Sequence, residues 1–193
     1  MPTISSNNMR YKILTEAAKL FKQKGYDGAS MRELAEKVGI EAASIYNHFK
    51  SKSAILESIC FEWGNAYFNH INEVETLSLG FDLKMERLIQ YHVSIIISNP
   101  DEVSVLNNDW KHIKEPQLTE FKRVRKEYER KMAQIIESGI EAGVFKPMNV
   151  SVTLFTILSS LRWVELWYKP GKGISKEVLA KDISTILLTG AKK

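Results

Sequence analysis

Cysteine is almost missing from this chain. Cys60 is the only one in 193 residues, so no intrachain disulfide can form and the composition suits a reducing cytosol. Cys60 falls in an apolar helical pattern and reads as a buried, inert thiol. Proline is scarce at five, and the ten glycines stand at intervals that punctuate helices. Long hydrophobic runs are missing too: Val93–Ile97 and Leu154–Leu161 are far too short to span a bilayer. The opening MPTISSNNMR lacks the charged and apolar blocks of a secretory signal. A soluble, cytoplasmic protein with no membrane partner is the expectation.

Enzyme chemistry is equally short of material. His48, His70, His92 and His112 lie about twenty residues apart and form no i, i+4 metal-binding pair. No Gly-x-Ser-x-Gly elbow, Walker loop or dinucleotide-binding glycine fingerprint occurs. Gly171-Lys172-Gly173 reads as a loop turn, and the carboxylates are scattered over helix faces. The chain is therefore expected to be no enzyme, with no catalytic residue, no metal and no cofactor.

What is present is helical rhythm. Ile13, Ala17, Leu20 and Phe21 recur at helical spacing, predicting a first helix from about Asn8 to Lys24, ended at Gly25 in the left-handed conformation. Ser30-x-x-Glu33 is a capping box opening a second helix, which turns Leu34, Ala35 and Val38 inward and stops at Gly39. A third begins near Glu41, whose side chain can cap it, and carries Ile45 and Phe49 inward. Ser51 caps a fourth with Ile55, Leu56 and Ile59 on its buried face. Further helices are expected over about 52–77, 82–98, 101–113, 116–142, 149–168 and 175–190. The fold class is all-α: a three-helix helix-turn-helix domain over 1–52, then a larger helical ligand-binding and dimerisation domain over 53–193.

Two short helices around a glycine turn, with a small, polar and aromatic second member, are the sequence form of a helix-turn-helix. Residues 1–52 also hold nine Lys and Arg against five acids, so the chain's whole formal excess of +4 sits there. A local basic excess is what attraction to phosphates requires. Double-stranded DNA is the expected partner. A competing reading from another class is an all-helical dimeric interaction or lipid-binding protein without operator specificity.

The segment Ser30–Leu56 resembles the DNA-binding domain of TetR-type transcriptional regulators. Met31-Arg32-Glu33-Leu34-Ala35 is followed by Val38-Gly39-Ile40 and then by Ile45-Tyr46-Asn47-His48-Phe49-Lys50-Ser51-Lys52, a run close to the family's own. The match covers roughly 45 N-terminal residues; beyond it, helical layout and length agree. The resemblance places DNA contacts at Ser30, Met31, Arg32, Ala42, Ala43, Tyr46, Asn47, His48 and Lys52. Asn47 can pair with adenine, Tyr46 and His48 reach phosphates, and Lys52 adds its charge to a helix N-terminus. Glu41, Ala42 and Ala43 depart from the family's usual Ser/Thr and Lys/Arg-Gly, which bears on operator sequence.

The resemblance also implies a small apolar ligand inside the C-terminal helices, whose binding releases a palindromic operator. Aromatic residues available for it are Trp110, Phe121, Tyr128, Phe155 and Trp163. Lys122, Arg123, Arg125, Lys126, Arg130 and Lys131 form a solvated basic face, or a landing site for a phosphorylated ligand. The stretch Trp163–Ser175 is similar to the C-terminal region of members responding to acyl-CoA thioesters, making an acyl-CoA one expected ligand. Val152–Trp167 is apolar on more than one face, and Ile174, Val178, Leu179, Ile183, Ile186 and Leu187 make one stripe. These last two helices are the expected homodimer interface.

Overall fold

The computed structural model describes residues 9–169, 171 and 173–191. Among them the helices are α1 Met9–Gly28, α2 Met31–Val38, α3 Ala42–Tyr46, α4 Lys52–Thr76, α5 Phe81–Ser98 and α6 Pro100–Asn108. A 3-10 turn Trp110–His112 precedes α7 Gln117–Glu141, α8 Val150–Arg162, α9 Val164–Trp167 and α10 Lys176–Thr189. No strand forms among the described residues, so the all-α expectation holds. No described helix is long and apolar enough to cross a membrane, and no group of His, Cys, Asp or Glu among these residues could hold a metal ion.

The helix ends follow local chemistry, with instructive departures. Glu33 N–H donates to Ser30 Oγ at 3.2 Å and Ser30 N–H to Glu33 Oε2 at 3.1 Å, completing the capping box of α2. Gly39, in the left-handed conformation, closes the same helix. Ala54 N–H donates to Ser51 Oγ at 3.1 Å, as expected of a cap for α4. Glu41 makes no side-chain cap; α3 starts on backbone bonds alone, Ser44 N–H donating to Glu41 O at 2.9 Å. Gly25 has the positive φ expected of it, 74°, but its ψ of 159° is extended rather than left-handed helical. That region is essentially glycine's alone. The chain therefore kinks and winds one further turn to Gly28 instead of ending.

Two compact units emerge. The first comprises the described residues up to Gly64 together with Asp101–Lys122. Ile13, Ala17, Leu20 and Phe21 of α1, Leu34, Ala35 and Val38 of α2, Ile45, Phe49, Ile55, Leu56 and Ile59 are all buried in it. Burial of each large apolar side chain stabilises by roughly 1.5–3 kcal/mol. α6 and the 3-10 turn join the same unit through polar and aromatic contacts with α1. Lys22 pairs with Asp101 at 3.0 Å, Tyr26 N–H donates to Asp109 Oδ1 at 3.4 Å, and His112 stacks on Tyr26 with centroids 5.1 Å apart. The division thus differs from a single cut after residue 52.

The second unit holds Asn65–Pro100 and the described residues from Arg123 onward. α10 packs along α5, and α8 and α9 pack on α5 as well. Gly139 of α7 is where chain segments come closest: a Cβ there would lie 2.3 Å from Phe145 Cδ2 and 3.1 Å from Phe81 Cβ. The expected helix over 149–168 is broken at Trp163 into α8 and α9. The apolar stripe of α10 is also divided: Leu179 is buried, whereas Val178 and Ile186 are 49% and 72% exposed, and Leu188, outside the expected stripe, is buried.

Candidate nucleic-acid interface

All nine residues proposed from sequence for DNA contact lie in the first unit, at the start of α2, on α3 and its end, and at the start of α4. Ser30, Arg32, Ala43, Tyr46, Asn47 and His48 are exposed, and Met31, Ala42 and Lys52 are partly so. Ile45 of α3 and Phe49, just after the turn that ends it, are buried, while Tyr46, Asn47 and His48 between them face water; the helical winding stops at Tyr46, short of the expected Phe49. A helix of one and a half turns has little stability of its own. Its position is fixed from outside.

Three cations supply the fixing. Lys12 Nζ of α1 donates to Val38 O at the end of α2, 2.8 Å away. Arg10 Nη1 donates to His48 O just beyond α3 at 3.1 Å, its Nη2 donates to Ser58 Oγ of α4 at 3.2 Å, and its guanidinium lies 4.2 Å over the Phe49 ring. Lys52 Nζ donates to Tyr26 O at 2.8 Å and Ala29 O at 2.9 Å, and stands 4.4 Å over the Tyr26 ring. Each charge thus meets carbonyls in or just after the last turn of a helix, where the backbone dipoles are negative. Arg10 and Lys12 escaped the sequence reading because their partners lie 38 and 26 residues away. Lys52 was read as a phosphate ligand; its ammonium has two of its three hydrogens on backbone carbonyls.

Other basic residues of this unit are held by acids. Lys19 pairs with Glu16, Lys22 with Asp101, Lys24 with Glu33, and Arg32 with Glu36. Glu33 is driven down to about 2, first by the Lys24 hydrogen bond and then by those from the Ser30 side chain and backbone. The Arg32–Glu36 pair, 3.4 Å long and on strongly exposed side chains, is loose enough to exchange for phosphate. Beside the end of α3 an open cleft of about 330 Å³ is lined by Arg10, His48, Lys50, Glu57, Ser58 and Phe61, among others.

Helix pair, exposed polar row and basic surround are the geometry of groove reading. Residues 13–59 match the profile of the bacterial regulatory proteins of the tetR family, and residues 82–191, more than half of the chain, match that of the tetracyclin repressor-like C-terminal domain. The chain belongs to the TetR family. It is a DNA-binding transcriptional regulator and not an enzyme. The HTH-type transcriptional repressor KstR2 of Rhodococcus jostii is 26% identical over 191 residues, which cover 97% of this chain and 93% of that protein. Among solved structures, the ketosteroid transcriptional regulator KstR2 of Mycobacterium tuberculosis superposes with a TM-score of 0.91 at 20% identity, covering 98% of this chain and 97% of that one. AibR, solved with isovaleryl coenzyme A and operator DNA, gives a TM-score of 0.81 at 19% identity over 93% of this chain and 97% of its own. At such identities these two structures speak for the TetR fold alone.

The five aromatic residues proposed for a TetR-type ligand divide between the two units. Trp110 and Phe121 are in the first unit, ring centroids 6.2 Å apart. Tyr128 is in the second, where its hydroxyl meets His92 Nε2 at 2.7 Å. Phe155 and Trp163 are 51% and 62% exposed. Sequence reading missed Tyr67 and His92, which surround Tyr128. A signal existed: Tyr67 shares a stripe with buried Ile71 and Val74, and His92 one with buried Met85, Leu88 and Ile96. Of the basic face of α7, Arg130 pairs with Glu127 at 2.7 Å and Lys131 with Glu75. Pro170 and Lys172 of the Trp163–Ser175 stretch lie outside the described residues.

Proposed function

We propose that the chain is a homodimeric repressor that grips a palindromic operator through α3 and releases it when an apolar ligand, such as an acyl-CoA, binds the helical domain. The observation that carries the DNA half is the exposed row Tyr46, Asn47, His48 over the buried pair Ile45 and Phe49. Asn47 pairs with a base edge, Tyr46 and His48 reach flanking phosphates, and Ala42 and Ala43 allow close approach to the groove. Ser30, Met31 and Arg32 meet the backbone at the start of α2. Lys52 acts from the first turn of α4 while its ammonium holds the chain between α1 and α2. Such a protein works where the chromosome is, in the cytoplasm.

Repression is supported by the repressors among its relatives. Dimerisation through the last helices is supported by Phe155, Trp163, Leu166, Trp167 and Ile186, each more than half exposed in the single chain. Phe155 and Trp163 fit that face better than a ligand site. The acyl-CoA is supported by the Trp163–Ser175 stretch and by the AibR complex.

The test is binding to the DNA upstream of the protein's own gene against a scrambled competitor at physiological salt. Tyr46→Ala with Asn47→Ala removes a base contact and a phosphate contact and is expected to weaken selective binding by about 100-fold, since each good contact contributes about 1–3 kcal/mol. The melting temperature stays put, because both side chains face water. Unchanged affinity in that variant overturns the site; no operator selectivity anywhere in a genomic selection favours the interaction-protein reading.

A further inference from the structure

Inside the second unit, polar rings meet where the neighbouring helix positions are apolar. Tyr67 of α4 lies flat on His92 of α5, centroids 4.1 Å apart and planes 17° from parallel. His92 Nε2 meets the Tyr128 hydroxyl of α7 at 2.7 Å. Both tyrosines are buried at 8% exposure. Tyr91 stands edge-on to Tyr67, and His70 stacks on Tyr91 at 3.8 Å with its Nε2 buried and without a hydrogen-bond partner.

The hydrogens in this cluster do not cancel. Desolvation, helped by His70, lowers the His92 pKa to about 3, so the imidazole is neutral. A neutral imidazole has one N–H and one lone pair, and a phenol has one O–H. The single bond between His92 and Tyr128 consumes one of those two hydrogens in either tautomer, leaving one donor over. The Tyr67 hydroxyl, for which no hydrogen-bond partner is found among the described residues, is a second. Neither the Tyr67 hydroxyl nor a His92 ring nitrogen is among the described polar atoms that are both fully buried and unpartnered, so these donors can be reached. Donors that no described residue meets are open to an acceptor that arrives from outside the chain.

The charge around the cluster says which acceptor. Lys131 is tied to Glu75 and Arg130 to Glu127, and Arg87, the cation that bears on His70, is itself exposed to water, so none is a buried counter-charge for an incoming carboxylate. Glu165 bears on Tyr67 from the same unit with negative charge, which opposes a second carboxylate further. An uncharged carbonyl oxygen has two lone pairs for two donors and needs no counter-ion. We propose that Tyr67, His92 and Tyr128 form the polar recognition point of the effector site, and that the effector presents an uncharged carbonyl oxygen (ketone, ester or thioester) to their free hydrogens. This rests on the ligand-released regulator reading above and names the chemistry of its ligand. In an acyl-CoA the cluster receives the thioester carbonyl, not the phosphates.

The experiment uses the full chain on its operator and two matched pairs of probes. Decanoyl-CoA is compared with S-decyl-CoA, the thioether without the carbonyl, and 2-decanone with decanoate. In the wild type the uncharged carbonyl member of a pair releases the operator at about tenfold lower concentration. Tyr67→Phe with Tyr128→Phe abolishes that preference while leaving operator affinity unchanged. Equal potency within both pairs, or a preference that survives in the variant, overturns the recognition point and leaves the regulator reading standing. Release by none of the four overturns both the recognition point and the acyl-CoA reading. The ligand-free protein gives a separate check: Tyr67→Phe deletes an unmet hydroxyl and keeps or raises the melting temperature. A fall of several degrees would show that the hydroxyl has a structural partner, and the proposal fails.

Discussion

Lys50 and Lys52 stand two positions apart in one basic run and have unlike surroundings. Lys52 donates to Tyr26 O and Ala29 O, whereas Lys50 is exposed beside the end of α3. Lys52→Met is expected to destabilise the protein by about 1.5–3 kcal/mol, the worth of hydrogen bonds to a charged donor, and to weaken operator binding through the loosened turn. Lys50→Ala should leave the urea midpoint unchanged and reduce the slope of log K against log salt by about one. Denaturation and a salt titration of both variants separate the two roles. Residue type and position in a motif mark Tyr46, Asn47 and His48 as candidate DNA contacts, and the structure leaves all three in water. For a cation, type and position leave the partner open: carbonyls 23 and 26 residues away hold the Lys52 ammonium.

His92 gives a second residue-level prediction, with its sign fixed by burial. Its pKa is depressed to about 3 from the ordinary 6.5, so below pH 6.5 the unfolded chain takes up a proton that the folded one refuses. Stability is therefore lost as pH falls from 6.5 towards 3. Tyr128→Phe keeps the burial and should keep this slope; His92→Gln should flatten it. Urea midpoints between pH 7 and 4 measure both.

At the scale of elements, most boundaries were written in Ser, Gly and Pro. α2 begins and ends where Ser30 and Gly39 place it, and α4, α5 and α7 fall within a residue or so of expectation. The breaks at Trp163 and Asp109 carry no such residue, and nothing local marks them. Gly139 shows the opposite case, a glycine that punctuates nothing. It lies inside α7, and its missing Cβ makes room for the Phe145 ring. Gly139→Ala is favourable for helix propensity by roughly 1 kcal/mol. It also drives a methyl into a ring that is only 3% exposed. Overpacking of a filled core costs about 1–3 kcal/mol. The clash wins: the variant is expected to be less stable, read as a lower urea midpoint with unchanged operator affinity in the surviving folded protein.

At the scale of the whole molecule, the sequence was legible as two functions and less so as two compact bodies. The family resemblance ended near residue 56, yet α6 and the 3-10 turn belong with α1 through pairs such as Lys22–Asp101 and Tyr26–Asp109. Those pairs are charges and a backbone amide about eighty residues apart in the chain. Hydrophobic periodicity reports which face of a helix is buried, not against what.

The same limit explains the end of the chain. Val152–Trp167 reads as apolar on more than one face and α10 as carrying one apolar stripe, and the single chain leaves Trp167 of α9 at 54% and Ile186 of α10 at 72% exposure. Isolated apolar residues at a surface are ordinary, but a concentration of large ones on three consecutive helices implies a cover. Under the proposed reading a second copy is that cover, and it also brings two α3 helices to a palindrome. Trp167→Asp with Ile186→Asp should then convert a dimer to a folded monomer in sedimentation. Two buried anchors replaced by charge remove at least about 2 kcal/mol each, which weakens dimerisation by roughly a thousandfold. Operator affinity falls with it, because one α3 reads one half-site, while helical content is retained. A variant that stays dimeric places the interface elsewhere on the molecule and leaves those apolar residues needing another partner.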